Sequence, residues 1–411
     1  MKKLLVILLA LALVFAFAAC AQEDPAQTED PAQTEDPAGE ETGEETGEES
    51  AALTPETIKV GHIHINDEAE QGYSTAHING VKAACEALGI PEENVIGKYN
   101  IGEDSSCDTA LRELVEAGCN IIFADSFGHE DFVMEVAKEY PEIVFCHATG
   151  TQAASSGLDN VANYFGNIYD ARYLSGIVAG MATETNKLGY VTAQPFAECI
   201  SGLTAFYLGA KSVNPDVTMD IMFTNTWYDV TLESQAAQAL IDGGADVLGQ
   251  HADSAATQTT AEAAGAYGIG YNTDMSVAAP AANLCSAVWN WQPAYQHMIQ
   301  AVLDGAEITD YSGTLAEGMV DVVYNEELLT SLGIADEVKA AVEEARAGIN
   351  DGSIHVFDTT TFTVGGEEVT STADVEGYNG NEYIWDGYFH ESELASAPAF
   401  NFYIDGITVI Q

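Results

Sequence analysis

From residue 54 onward the chain alternates short apolar runs of strand length with longer amphipathic runs of helix length, and that alternation constrains the fold more than any other feature. IKVGHIHI (58–65) is followed by GYSTAHINGVKAACEALG (72–89), NVIGKYN (94–100) by SSCDTALRELVEAG (105–118), and NIIFAD (120–125) by HEDFVMEVAKEYP (129–141) before EIVFCHA (142–148). After NVANYFGN (160–167) the cycle restarts with YDARYLSGIVAGMATE, KLGYVTA, AECISGLTAFYLGAKSV, VTMDIMF, DVTLESQAAQALIDGGA, ADVLGQ, SAATQTTAEAAGA and YGIGYN. Strands and helices of these lengths in strict alternation predict parallel sheets covered on both faces, and two successive runs predict two lobes. The fold class expected is α/β with two doubly wound lobes.

In open parallel sheets ligands bind beyond the carboxyl ends of the strands, so those ends define the candidate site. The first run supplies Tyr73, then Ser126 and Phe127, then His147 and Thr149. The second supplies Phe196, then Trp227 and Asp229 in the turn FTNTWYDV, then Gln250, His251 and Asp253, then Asp274, with Trp289 and Trp291 after LCSAV. Rings and hydrogen-bonding groups dominate this set, and it holds no lysine or arginine. Aromatic faces stack on a flat apolar solute while carboxylates and amides take its N–H or O–H donors. Large rings are poor turn formers, so Trp227 is better explained as a platform than as a turn residue.

Each position also has a plainer reading. Asp229, Asp253 and Asp274 precede helical segments and suit N-caps. His147 suits a hydrogen-bonded strand end, Tyr73 suits packing of its helix, and Trp289 and Trp291 share one face of a strand. His62 and His64 also share a strand face, but a metal would need a third ligand that the sequence does not offer, so packing is favoured and no metal is expected.

The N-terminal segment MKKLLVILLALALVFAFAAC has two lysines, an apolar core and small residues before a cysteine, as an exported precursor does. Its last residues resemble a bacterial lipobox, which makes 1–20 a lipoprotein signal and Cys20 the lipid-modified residue. Residues 21–53, with repeated EDPAQT and then EETGEETGEES, lack the aromatic and aliphatic content to fold and read as a disordered acidic tether. The expected location is the extracytoplasmic side of the cell membrane, held by the lipid alone.

Twelve of the 65 acidic residues precede residue 51, and two of the 12 basic ones lie in the signal, so the body carries about −43. Such a surface repels nucleic acid and anionic lipid. Cys85, Cys107, Cys119, Cys146, Cys199 and Cys285 show no CxxC, and their spacing leaves structural thiols and disulfides both open. The chain has no GxGxxG after its first strand, no GxxxxGK[ST] and no G-x-S-x-G. No cofactor is expected, and an enzyme is disfavoured.

The ordered set DSFG (125–128), HATG (147–150), NYFGNIYDARYLSGIVAG (163–180), TNTWYD (224–229), QHADS (250–254), YNTDM (271–275), VWNW (288–291), IHVF (354–357) and FYIDGI (402–407) resembles the basic membrane protein family, lipoprotein solute receptors of ABC importers. The resemblance implies a type I periplasmic-binding fold with a hinged cleft. It also implies lobe 1 over 54–162 and 285–322, lobe 2 over 163–284 and 323–411, an importer permease as partner, and a purine base or nucleoside held between Tyr73 and Trp227. Asp274 matches an acidic position that holds ribose hydroxyls in nucleoside-binding members, whereas Trp289 replaces a lysine of those members and favours a free base such as adenine. A sugar receptor of the same fold and a sensory lipoprotein are the alternatives.

Overall fold

The computed structural model describes residues 52–410. The signal, Cys20 and nearly all of the tether lie outside them. Two parallel sheets organise the described chain. The first contains β1 (Val60–Ile63), β2 (Val95–Lys98), β3 (Ile121–Ala124), β4 (Val144–Ala148) and β5 (Val161–Gly166) in spatial order 5-4-3-1-2. The second contains β6 (Lys187–Thr192), β7 (Thr218–Phe223), β8 (Val247–His251), β9 (Tyr267–Asn272) and β10 (Asn283–Trp289) in order 10-9-8-6-7. The two lobes thus repeat one doubly wound order, and each has its topological switch beside its first strand, between β1 and β3 and between β6 and β8.

Helices cover both sheets. The first lobe carries α1 (Tyr73–Ala87), α2 (Ser105–Glu116), α3 (Glu130–Glu139) and the single turn α4 (Ala153–Ser156). The second carries α5 (Ile168–Ala182), α6 (Ala197–Val213), α7 (Val230–Asp242) and α8 (Ala256–Ala264). Helices α5 and α6 meet almost backbone to backbone, because a Cβ on Gly176 would stand 2.0 Å from the carbonyl oxygen of Phe206. That close approach is why the segment ending LSGIVAG needs its small residues.

The chain crosses between lobes after Gly166, again after β10, and a third time after β11 (Tyr311–Gly313), which pairs with β5. Helix α9 (Gln292–Asp304) lies on the first lobe beside α1. Strand β12 (Val320–Tyr324) returns antiparallel to β10, followed by α10 (Glu326–Leu332) and α11 (Ala335–Asp351). These pairings correct the expected lobe limits. All of β5 to Gly166 belongs to the first sheet, and β10 belongs to the second because it runs parallel to β9, with Val288 opposite Asn272. From 285–322, only the stretch from α9 to β11 is first-lobe chain.

The last segment is mostly irregular. The turn at Gly365–Gly366 closes a single antiparallel bridge between Val364 and Glu367. A short hairpin forms at β13 (Ile384–Trp385) and β14 (Tyr388–Phe389), where Asp386 and Gly387 both take positive φ, as a two-residue hairpin turn requires. Strand β15 (Ile407–Val409) then adds to the edge of the second sheet beside β7. Among the described residues the six cysteines are buried free thiols, no helix is long and apolar enough to cross a membrane, and no three metal-ligating side chains converge.

Candidate functional site

A narrow cleft lies where the two switch points face each other, lined by Ile65, Tyr73, Asp125, Ser126, Phe127 and Thr149 of the first lobe and by Glu198, Trp227, His251, Asp253 and Tyr271 of the second. The lobes are closed on it. Phe127 stacks on Phe196 across the mouth with centroids 4.8 Å apart, and Thr273 Oγ1 donates to the Gln71 carbonyl at 2.6 Å. Gly72 is pressed against the second lobe, where a Cβ would lie 2.0 Å from the Asp253 carbonyl oxygen.

Tyr73 opens α1, and its ring meets His77 edge-on at 4.5 Å while its hydroxyl is buried without a protein partner. Asp125 follows β3. Its Oδ2 lies 2.5 Å from His64 Nδ1, and its Oδ1 has no partner. Burial pushes its carboxyl up to about 7. Thr149 takes φ 64°, which is rare for a β-branched residue and costs about 1–3 kcal/mol, and its hydroxyl is likewise unpartnered. Backbone strain of this kind clusters at ligand clamps and switch regions.

On the opposite wall Trp227 is half-buried, and its carbonyl accepts from the Asp253 N–H at 3.0 Å, tying the TNTWYD turn to the loop after β8. Asp253 Oδ1 accepts from Asn272 Nδ2 at 3.0 Å, and burial raises its carboxyl, with Glu70 and Glu233 adding to the rise. Glu198 faces His251 Nε2 at 3.3 Å, and burial lowers the His251 ring. Behind them Arg172 donates from Nη1 to the Gln250 carbonyl at 2.5 Å and lies 3.4 Å from the centre of the Tyr271 ring, which supplies this acidic cleft with a buried cation. Glu70 backs the first-lobe wall. It accepts from Asn66 Nδ2 and the Ser74 N–H, and burial takes it up to about 7.

The structure therefore brings together Tyr73, Ser126, Phe127, Thr149, Trp227, His251 and Asp253, with Phe196 over the mouth. It separates Asp229, His147, Gln250, Asp274 and Trp289. Asp229 caps α7, its Oδ1 accepting from the Thr231 and Leu232 N–H groups at 2.9 Å. His147 is buried against the Ser126 carbonyl at 2.8 Å. Gln250 points back to hold the Ala252 and Ser254 carbonyls. Asp274 caps the turn Met275–Val277 and, with Trp289, borders a different concavity beside α1. Trp289 stacks on Trp291 at 4.4 Å and donates to the Tyr271 hydroxyl at 3.3 Å, so it supports the cleft from the hinge side without lining it. Asp125 was overlooked although it begins the DSFG motif, and Glu198 because it reads as the acidic first turn of α6 rather than as a strand end. Tyr271 lies within a strand, where periodicity alone gives no sign of a site.

Two doubly wound lobes joined by three crossings and shut on a small polar and aromatic cleft define a two-lobed solute receptor. The chain belongs to the PnrA-like substrate-binding proteins of ABC transporters, whose family model matches residues 59–346. It is 32% identical over 357 residues to a purine-binding protein of Brucella abortus, covering 87% of this chain and 95% of that one. It is 31% identical over 310 residues to a Haloferax volcanii protein named as an ABC transporter glucose-binding protein, covering 75% and 76%. Solute-binding proteins of ABC systems from Conexibacter woesei and Aeropyrum pernix share the fold, each with TM-score 0.58 and 20% identity, covering 72% and 73% of this chain and 98% and 93% of theirs.

Proposed function

We propose that this receptor captures a purine, a free base such as adenine or its nucleoside, on the extracytoplasmic side and delivers it to an importer permease, held to the membrane by lipid on Cys20. The observation that carries the reading is the pairing of rings with vacant acceptors: Tyr73 and Trp227 border the cleft in which Asp125 Oδ1 and Thr149 Oγ1 lack protein donors. A purine offers two flat faces and N–H groups on its edge, matching both. The placement of Asp274 outside the cleft favours the base over the nucleoside. The role is binding and release, with no catalytic step.

A sugar is the second reading, supported by the Haloferax relative and by the suitability of rings and carboxylates for a pyranose. The test is thermal unfolding of ligand-stripped protein with adenine, guanine, adenosine, guanosine, inosine, ribose and glucose. A ligand at 100 times its Kd adds about 2.7 kcal/mol of stability. Stabilisation by a base above its nucleoside supports the reading; stabilisation by glucose alone ends it and leaves the receptor class intact.

A further inference from the structure

Tyr271 reaches the cleft from inside β9, and its ring is held by two neighbours. The Arg172 guanidinium carbon lies 3.4 Å from the ring centre, and the centre of the His251 ring lies 4.7 Å away. The residue is 1% exposed, so the hydroxyl oxygen is fixed in place and only its O–H bond can turn.

Among the described residues that hydroxyl has one hydrogen-bond partner, Trp289 Nε1 at 3.3 Å. An indole N–H can only donate, so the Tyr271 oxygen accepts, and its own hydrogen is left without an acceptor in the protein. A buried hydroxyl in that state is costly unless something else supplies the acceptor. The space it borders is the cleft, which Tyr271 lines and Trp289 does not. The other lining hydroxyls stand differently. Ser126 Oγ gives its hydrogen to Glu103 Oε1 at 2.7 Å, whereas those of Tyr73 and Thr149 have no partner at all and can give or accept. Tyr271 also keeps its proton under all working conditions, because burial raises it above its ordinary value against the opposing pull of Arg172.

We propose that Tyr271 is a specificity-determining donor that gives its O–H hydrogen to an acceptor of the ligand, and that Trp289 is its positioning residue, turning that hydrogen toward the cleft by occupying the oxygen. In a purine the acceptor is a ring nitrogen. Carboxyls alone would take any ligand rich in N–H or O–H groups, and a fixed donor among them demands an acceptor at one place on its edge. The contact therefore adds to those with Asp125 and Thr149 rather than repeating them. The choice of a purine as probe rests on the proposed function; the donor role does not.

The test has two arms. The first needs no ligand. In nitrogen-15 spectra of the full chain the Trp289 indole N–H, assigned by its loss in Trp289→Phe, should move upfield in Tyr271→Phe, which removes its acceptor; an unmoved resonance overturns the positioning role. The second arm measures, by calorimetry, the affinities of adenine and of 1-, 3-, 7- and 9-deazaadenine, in each of which a C–H replaces one ring nitrogen. At least one analogue should bind the wild type roughly tenfold more weakly than adenine, and Tyr271→Phe should remove that gap by weakening adenine. Trp289→Phe keeps the hydroxyl but frees it to turn, and should narrow the gap. A wild type that holds all five alike, or a Tyr271→Phe protein that keeps every gap, overturns the donor; a Trp289→Phe protein with the wild-type gap overturns the positioning role. If Tyr271→Phe does not fold, the wild-type series and Trp289→Phe decide. If no purine binds, the purine reading falls and glucose and ribose take its place as probes: a roughly tenfold loss in Tyr271→Phe upholds the donor, and an unchanged affinity overturns it. The first arm, which needs neither, still decides whether the oxygen is occupied.

Discussion

The two lobes repeat one strand order yet furnish the cleft differently. In the first, the Tyr73 hydroxyl, Asp125 Oδ1 and Thr149 Oγ1 are buried without partners. In the second, Asp253 accepts from Asn272, Glu198 faces His251, and the Trp227 carbonyl accepts from the Asp253 N–H, with His251 Nδ1 left as an unpartnered lining atom. Unsatisfied buried acceptors are costly, so a wall that keeps several is arranged for a donor that arrives later. The proposed function thus assigns the ligand's N–H edge to the first lobe and its face to the platform of the second.

The largest expected effect is therefore in the first lobe. Asp125→Leu removes the charged acceptor and should weaken adenine binding by about 2–3 kcal/mol, measured by calorimetry. The same residue makes the ligand-free protein sensitive to pH. A carboxyl whose folded pKa is raised contributes stability that is fully present below the ordinary carboxylate pKa and is lost as pH climbs through its folded value, so Asp125 and Glu70 should lower the unfolding midpoint between about pH 4 and pH 7. Asp125→Leu should flatten part of that fall. A variant with wild-type affinity and an unchanged pH profile would break the division of labour between the lobes.

Next comes the platform. Trp227→Ala should cost about 1–3 kcal/mol in affinity, at least tenfold, while leaving the preference among N–H patterns as in the wild type. A change of preference instead of affinity would make the second lobe a reader as well. A smaller loss, several-fold, is expected from Gly72→Ala. Its Cβ meets the Asp253 carbonyl only when the lobes are shut, so the substitution opposes closure, and small-angle scattering should show less contraction on adding ligand. Full contraction would show that the lobes can shut without that contact.

How far the site was legible follows from the same asymmetry. The strand and helix alternation specified both sheets, and Tyr73, Ser126, Phe127, Thr149, Trp227, His251 and Asp253 were reached by collecting strand ends. Lobe limits failed at β10 because a strand's partner is a long-range choice: LCSAV reads as a strand in either lobe until it pairs with β9. Glu198 and Tyr271 escaped because only tertiary packing turns a residue of a helix's first turn and one inside a strand toward a cleft. The His64–Asp125 contact joins residues 61 positions apart, and no local pattern marks it.

The smallest effect concerns Asp229, which the sequence offered as a ligand contact and, with more weight, as a helix cap. Its Oδ1 takes two N–H groups of α7's first turn, and its own N–H is held by Glu233 Oε1 at 3.0 Å, a reciprocal arrangement at the helix start. Asp229→Ala should thus cost about 1 kcal/mol of stability, seen as a lowered denaturant midpoint, with affinity for adenine unchanged. The cap sits two residues beyond Trp227, so the variant also asks whether the platform depends on the helix behind it. Unchanged affinity means that the Asp253 tie alone holds Trp227 in place, whereas a loss approaching that of Trp227→Ala means that the α7 N-terminus is part of the platform.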